Sequence, residues 1–391
     1  MNKLDNSTTG LINTLKAQLE NNTAFVEPSN IRDIRDVSLL AVHHQVANIL
    51  YLALQNSSCT DDTAMPQLET IYNQAVAADA AQGYYLEMVK GLLEENGIDY
   101  CILKGWVIKA LYPSSDLRTS ADIDIYIGHE NAQRVHDIML EHGFECTAFG
   151  ENGSSDDYHM DMYSHIEFHR QLIKNDYPWK EECNRITDRL IHKQGHEYVM
   201  SDEDFYIFMI CHIAKHMKFG GIGIRAILDV WVYLRHYTDL DFNYINDIME
   251  KCRLSEFHRN VLELCGYWFD GKEGSDKIKA LSEYVAMSGW NGTFEQHVSG
   301  AAAKMAGDSN SKTVAKLKLY FSAIFWNRER MSVKYPILEK LSVLLPFCWL
   351  HRAANALFKK KDVVNEIRTQ YDGADMEAGK RINEFRRSIG L

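Results

Sequence analysis

Apolar residues recur at helical spacing from Asp36 to Leu54 and again from Met65 to Asn96, where Gly97 stops the pattern. Residues 1 to about 90 are therefore predicted to be helical. From Ile98 the texture changes to short strand-like runs separated by turns. Ile98–Leu103 is a predicted strand, Trp106–Leu111 a short helix ended by Tyr112-Pro113, and Ala121–Ile127 a second strand. Glu130–His142 is a predicted helix stopped by Gly143, and Phe144–Phe149 a third strand. The polar stretch Gly150–Asp157 is predicted to be a loop, with Tyr158–Tyr163 and His165–Gln171 paired beyond it as a hairpin. After Trp179 the pattern returns to helix, through Asp204–Met217, a turn at Gly220, Gly221 and Gly223, and Arg225–Arg235. Phe242–Leu391 follows as a helical array without an evident repeat. The predicted fold is α+β, a small mixed sheet flanked by helical regions, divided as 1–96, 97–200 and 201–391.

Composition narrows the class. A chain of 391 residues exceeds one ordinary core, and 46% apolar with 25% charged residues describes a packed protein. The net charge of −12 argues against generic DNA or RNA binding, which needs a basic surface. Eight cysteines without a Cys-x-x-Cys spacing suit free thiols in a reducing compartment. The N-terminal segment lacks a basic stretch followed by an apolar one, and Leu338–Leu350 is too short and interrupted to span a bilayer. A cytoplasmic protein that does not enter membranes is the expectation. Lys359-Lys360-Lys361 is read as a solvated helix end.

The chemistry concentrates between Tyr100 and Ile127. On a strand, Asp122 and Asp124 share one face while Ile123, Ile125 and Ile127 point into the core. Two close carboxylates repel and lose hydration, so such a strand is costly unless a cation sits between them. Mg²⁺, with substrate phosphates completing its shell, is the natural match, and Mn²⁺ is an alternative. Upstream, the strand, the Lys104-Gly105 turn and a helix start place free backbone N–H groups around one spot, a phosphate seat to which Lys104 adds charge. Arg118 and Ser120 offer further phosphate donors. Elsewhere, the adjacent His43 and His44 point about 100° apart on a helix and are expected to take ordinary packing or surface roles. His212 and His216, four residues apart, are expected to be core residues rather than a metal pair. Arg225 and Asp229 are spaced for an ion pair.

Leu103-Lys104-Gly105, then about a dozen residues, then Arg118-x-Ser120-x-Asp122-Ile123-Asp124 resembles the bacterial "uncharacterised nucleotidyltransferase" family. That family is a branch of the DNA polymerase β-like superfamily. Many superfamily members carry Gly-Ser where this chain has Lys104-Gly105. The resemblance implies a third carboxylate on a later strand, for which Glu167 in His165-Ile166-Glu167-Phe168-His169 fits. It also matches Lys215, His216, Arg225 and Asp229 to recurring positions of the helical part, with Lys215 or Arg225 reaching the triphosphate. The implied activity is transfer of a nucleoside monophosphate from a triphosphate such as ATP to an acceptor hydroxyl. Two Mg²⁺ ions would be held by Asp122, Asp124 and Glu167, and the acceptor would be a small molecule, a sugar, an RNA end or a protein. Two other readings stand beside it: a nucleotide-binding regulatory module without catalysis, and a zinc hydrolase built on His165, Glu167 and His169. The zinc reading is disfavoured because same-face residues of one strand lie about 6.5–7 Å apart.

Overall fold

The computed structural model describes residues 6–20, 33–55, 57, 61–150, 155–173, 177–289, 325, 328, 331, 335, 337–359 and 376–391. Four helices, α1 (Asn6–Glu20), α2 (Ile34–His43), α3 (Ala47–Gln55) and α4 (Ala64–Glu95), precede the sheet. Strands β1 (Tyr100–Ile102) and β2 (Ile123–Tyr126) bracket the short α5 (Lys104–Lys109). Next come α6 (Ala132–Glu141), β3 (Glu145–Ala148), β4 (Ser155–His159) and β5 (Ile166–His169). After α7 (Lys180–Asn184), β6 (Ile191–Gln194) and β7 (Glu197–Val199), the chain continues through α8 (Asp202–Phe219), α9 (Ile224–His236), α10 (Phe242–Lys251), α11 (Ser255–Phe269) and α12 (Asp276–Ser288). Helical segments Leu345–Lys359 and Met376–Ser388 lie further on. Lys360, Lys361, Cys59 and much of the expected helical array after 289 lie outside the described residues. The architecture is the α+β class that the sequence predicts.

One seven-stranded mixed sheet runs in the order β3-β4-β5-β2-β1-β7-β6. β2 pairs antiparallel with β1 and parallel with β5. Alternation along these strands gives the sheet two unlike faces. Ile123, Ile125, Ile166, Phe168 and Tyr158 are fully buried, packing with Leu86, Val89 and Leu93 of α4 and Val135 and Met139 of α6. Burial of each large side chain stabilises by about 1.5–3 kcal/mol, so this face anchors β2 and β5. The opposite face carries the polar residues. A second, larger cluster joins α1, α3, α8, α9 and α11 to Cys101 and Leu103 at the β1 end, and includes Ile389 near the C-terminus. Helices on both sides of the sheet in sequence therefore share one apolar interior.

Three departures from the sequence pattern have physical causes. The helix expected over Asp36–Leu54 is two helices, broken at Gln45, whose φ is +55°. At the break, His44 accepts from the Ile224 N–H through Nδ1 (3.2 Å) and bonds the Ala286 carbonyl through Nε2 (3.0 Å), tying α2 to α9 and α12. β4 begins at Ser155, inside the expected loop, because its buried Asp156 is satisfied by two bonds from Arg170 (2.9 and 2.7 Å) and one from the Gly150 N–H (2.8 Å). A paired carboxylate in a strand leaves no apolar signature. β6 and β7 form where the pattern after Trp179 predicts helix; β6 is an edge strand exposed along its length, so no alternation marks it.

Buried neutral histidines give the fold an acid limit. Burial pushes His44 and His258 down to about 4. Because the unfolded chain binds these protons first, stability falls as pH drops from 6.5 toward 4. At pH 5 the loss is about 2 kcal/mol for each residue. Thermal melts at pH 7 and pH 5 are expected to show a lower Tm at pH 5, reduced in part by His258→Gln. An unchanged Tm would contradict the neutral assignment.

No helix of the described residues is long and apolar enough to cross a membrane. The described cysteines, Cys101, Cys146, Cys183, Cys211, Cys252, Cys265 and Cys348, are free thiols.

Candidate active site

The parallel register of β2 and β5 sets Asp124 directly opposite Glu167, and Tyr126 opposite His169. On the far side, the Leu103 N–H donates to the Asp124 carbonyl (2.9 Å), so the turn after β1 sits against the same aspartate. Lys104 opens α5 with φ of +30°. That left-handed conformation favours glycine and costs a non-glycine residue on the order of 1–3 kcal/mol. Its ammonium lies 3.1 Å from Asp124 Oδ1. The same carboxylate accepts from His169 Nε2 at 2.5 Å, which places the ring hydrogen on Nε2.

The three carboxylates sit in unlike fields. Asp124 is buried, which works against its charge, but Lys104 and His169 beside it hold its carboxyl well below the usual range. Asp122 lies just ahead of β2, and burial and the neighbouring Asp124 charge raise its pKa. Glu167 is pushed up to about 8 by burial and by the charges of Asp124 and Asp122. Burial opposes the Lys104 charge too, yet Asp124 and Asp122 more than offset it and raise its pKa. The cluster is thus short of positive charge.

The turn and its approach are held by close contacts. A Cβ on Gly105 would lie 2.7 Å from Arg118 Nη1 and 2.7 Å from Ser120 Oγ, so only glycine lets these side chains approach. Ser120 Oγ donates to the Asp122 carbonyl (2.9 Å) and lies 3.5 Å from its Oδ1, fixing the entry to β2. Arg118 differs from a free phosphate donor: Nε and Nη2 bind Asp229 at 3.4 and 3.0 Å, deep inside the protein. Tyr112 donates to the same Asp229 (2.8 Å). The ion pair expected between Arg225 and Asp229 is replaced by this one. Arg225 instead donates to Gln45 Oε1 and to the Thr119 carbonyl (3.0 Å), holding the segment before Ser120.

All nine residues named from the sequence, Lys104, Gly105, Arg118, Ser120, Asp122, Asp124, Glu167, Lys215 and Arg225, line a single cavity of about 350 Å³. Its opposite wall is α8 and the start of α9, with Phe205, Phe208, Met209, His212, Ile213 and Ile222. Lys215 lowers to about 8 through burial and the nearby Lys104 charge. The wall also holds His212 and His216, whose Nε2 atoms are 3.0 Å apart. Burial, then Lys104, depress His212 well below its ordinary value. These two histidines are partly core as expected, but they also face the carboxylates across the cavity. Their four-residue spacing was visible; what they face was not.

The donor chemistry fits a divalent cation. Ligand atoms of Asp124, Glu167 and His169 lie within 4.8 Å of one another. Asp122 adjoins this group, although among the described residues no group that close contains Asp122, Asp124 and Glu167 together. His169, which donates to Asp124, is the neighbour of the carboxylates that the three-carboxylate expectation omitted. The zinc set of His165, Glu167 and His169 is not assembled around one point. His165 Nε2 is 3.6 Å from Glu167 Oε1 and His169 Nε2 is 3.6 Å from Glu167 Oε2, so the two histidines approach opposite oxygens. Strand spacing separates them.

The family described as "Uncharacterised nucleotidyltransferase" matches residues 31–270, and the chain belongs to it. The match spans the sheet, the cavity and helices α2 to α11. Comparison with curated proteins and with solved structures finds no match. Membership supports a general nucleotidyltransferase role with a nucleotide substrate.

Proposed function

We propose that the protein is a divalent-metal-dependent transferase that moves a nucleoside monophosphate from a triphosphate to an acceptor hydroxyl. The observation that carries this reading is the Asp124–Glu167 pairing across β2 and β5 with Asp122 alongside and Lys104 3.1 Å from Asp124. Asp122, Asp124 and Glu167, with His169 orienting Asp124, are the residues that would hold Mg²⁺ or Mn²⁺. When bound, such ions neutralise the phosphates and lower the pKa of the acceptor hydroxyl.

In the reaction, the acceptor oxygen forms a bond to the α-phosphorus while the bond to the bridging β-phosphate oxygen breaks, and pyrophosphate leaves. Glu167, lining the cavity opposite Asp124, would accept the hydroxyl proton. Lys104 and Lys215 face the cavity with positive charge that meets the growing charge on the departing pyrophosphate. Lys215, near 8, gains its proton more firmly when a polyphosphate enters. Arg118 and Arg225 act from behind, by holding residues 118–120 against Gly105.

The acceptor remains a small molecule, a sugar, an RNA end or a protein hydroxyl. Incubation with each α-labelled triphosphate, Mg²⁺ and fractionated cell extract is expected to transfer label with pyrophosphate release. Chelation should stop transfer and Mg²⁺ or Mn²⁺ restore it. Retention of a triphosphate without release in any fraction would overturn the transferase reading. It would favour a nucleotide-binding module.

A further inference from the structure

We propose a second metal site, outside the one assigned to transfer, in which Asp157, His165 and Glu167 bind one borderline metal ion such as Zn²⁺ or Co²⁺. Asp157 on β4 stands directly opposite Glu167 on β5 in the antiparallel ladder. Ligand atoms of Asp157, His165 and Glu167 lie within 4.8 Å of one another. Asp157 Oδ1 is buried and has no hydrogen-bond partner, an acceptor left open. An unsatisfied buried carboxylate oxygen costs about 1–3 kcal/mol unless something occupies it.

The two Glu167 oxygens divide between two groups. Oε1 faces His165 (3.6 Å), whereas Oε2 faces His169 (3.6 Å), which in turn bonds Asp124. A carboxylate presented in this way bridges two ions, as in paired-metal sites. The donor sets then sort the ions. At the inner position the His169 Nε2–H is engaged by Asp124, which leaves carboxylates as the ligands and suits Mg²⁺, while the outer one offers the His165 imidazole beside two carboxylates and suits a borderline metal. The His159 ring stacks on His165 at 4.3 Å with 20° between planes, which fixes the imidazole without using a ligand position. Three protein ligands leave the outer ion an open coordination position. The inference shares Glu167 with the proposed transfer site but rests on Asp157 and His165, which that reading does not use.

Co²⁺ is the probe, added to the full-length protein in saturating Mg²⁺ and followed by its visible absorption, with Zn²⁺ competition and metal analysis after dialysis. One equivalent of Co²⁺, displaced by Zn²⁺, is expected for the wild type. His165→Ala and Asp157→Asn should each weaken it at least about 10-fold, whereas Asp124→Asn should retain it. Thermal melts confirm that each variant is folded. On the wild-type protein, a hyperfine-shifted imidazole N–H resonance exchanging with water would report the His165 bond without any substitution. Co²⁺ binding unchanged in both outer variants, or no binding under Mg²⁺, would overturn the inference. Loss in Asp124→Asn alone would place the ion at the inner site, overturning the second site while leaving the transferase reading intact.

Discussion

Asp124→Asn is expected to abolish transfer and to lower stability, whereas Asp122→Asn abolishes transfer at equal or higher stability. The sequence alone treats the two aspartates alike, as a repelling pair whose neutralisation leaves the fold intact or relieves it. The structure separates them. Asp124 holds the Lys104 ammonium at 3.1 Å and His169 at 2.5 Å, and both partners keep its carboxyl ionised. Asparagine leaves the buried Lys104 charge without its partner, and breaking one side of a buried pair costs about 3–5 kcal/mol. Asp122 has the opposite sign, since burial and Asp124 disfavour its charge. Either change removes a ligand worth several kcal/mol to the transition state, a fall in rate on the order of 10³-fold. Parallel melts and transfer assays in the absence and presence of Mg²⁺ decide the matter. Equal Tm for the two variants, or activity in Asp124→Asn, would refute the assignment.

Arg118→Met should cost about 3–5 kcal/mol, because Asp229 would remain buried with only Tyr112 to satisfy it. The double variant Arg118→Met with Asp229→Leu should recover most of that loss, since paired apolar replacements of a buried ion pair are often neutral. Transfer should not recover with it. Arg118 also presses on Gly105 and so positions the lysine turn. A double variant that regains stability but not kcat would assign Arg118 to positioning; full recovery of both would make it a structural brace only. Denaturant unfolding and steady-state kinetics on the same preparations provide the two readouts.

Much of the site was legible because it is local in sequence. Lys104-Gly105, Arg118, Ser120, Asp122 and Asp124 lie within one turn–strand stretch, and period-two alternation already puts the aspartates on one face. The branch difference at the turn also gains a reason. Position 104 takes a positive φ, where glycine is at ease, and the lysine found there directs its ammonium to Asp124. The roles of Arg118 and Arg225 were not legible. Which arginine reaches Asp229 depends on how α9 packs against the chain before β2, not on the i, i+4 spacing within α9. β4 was hidden for a related reason: its buried Asp156 is paired with Arg170, so the segment reads as a polar loop.

By itself the sequence determined the α+β class, the apolar face of β2 and the presence of adjacent carboxylates next to a lysine turn, because helical period, strand alternation and turn chemistry all act between near neighbours. Only the tertiary structure decided that Glu167 lies opposite Asp124, that His169 joins them, that Asp157 and His165 gather beside Glu167, and that α8 closes the cavity. Strand register and helix packing are set by the burial of distant apolar faces against one another. Those contacts bring together charges that no spacing along the chain encodes.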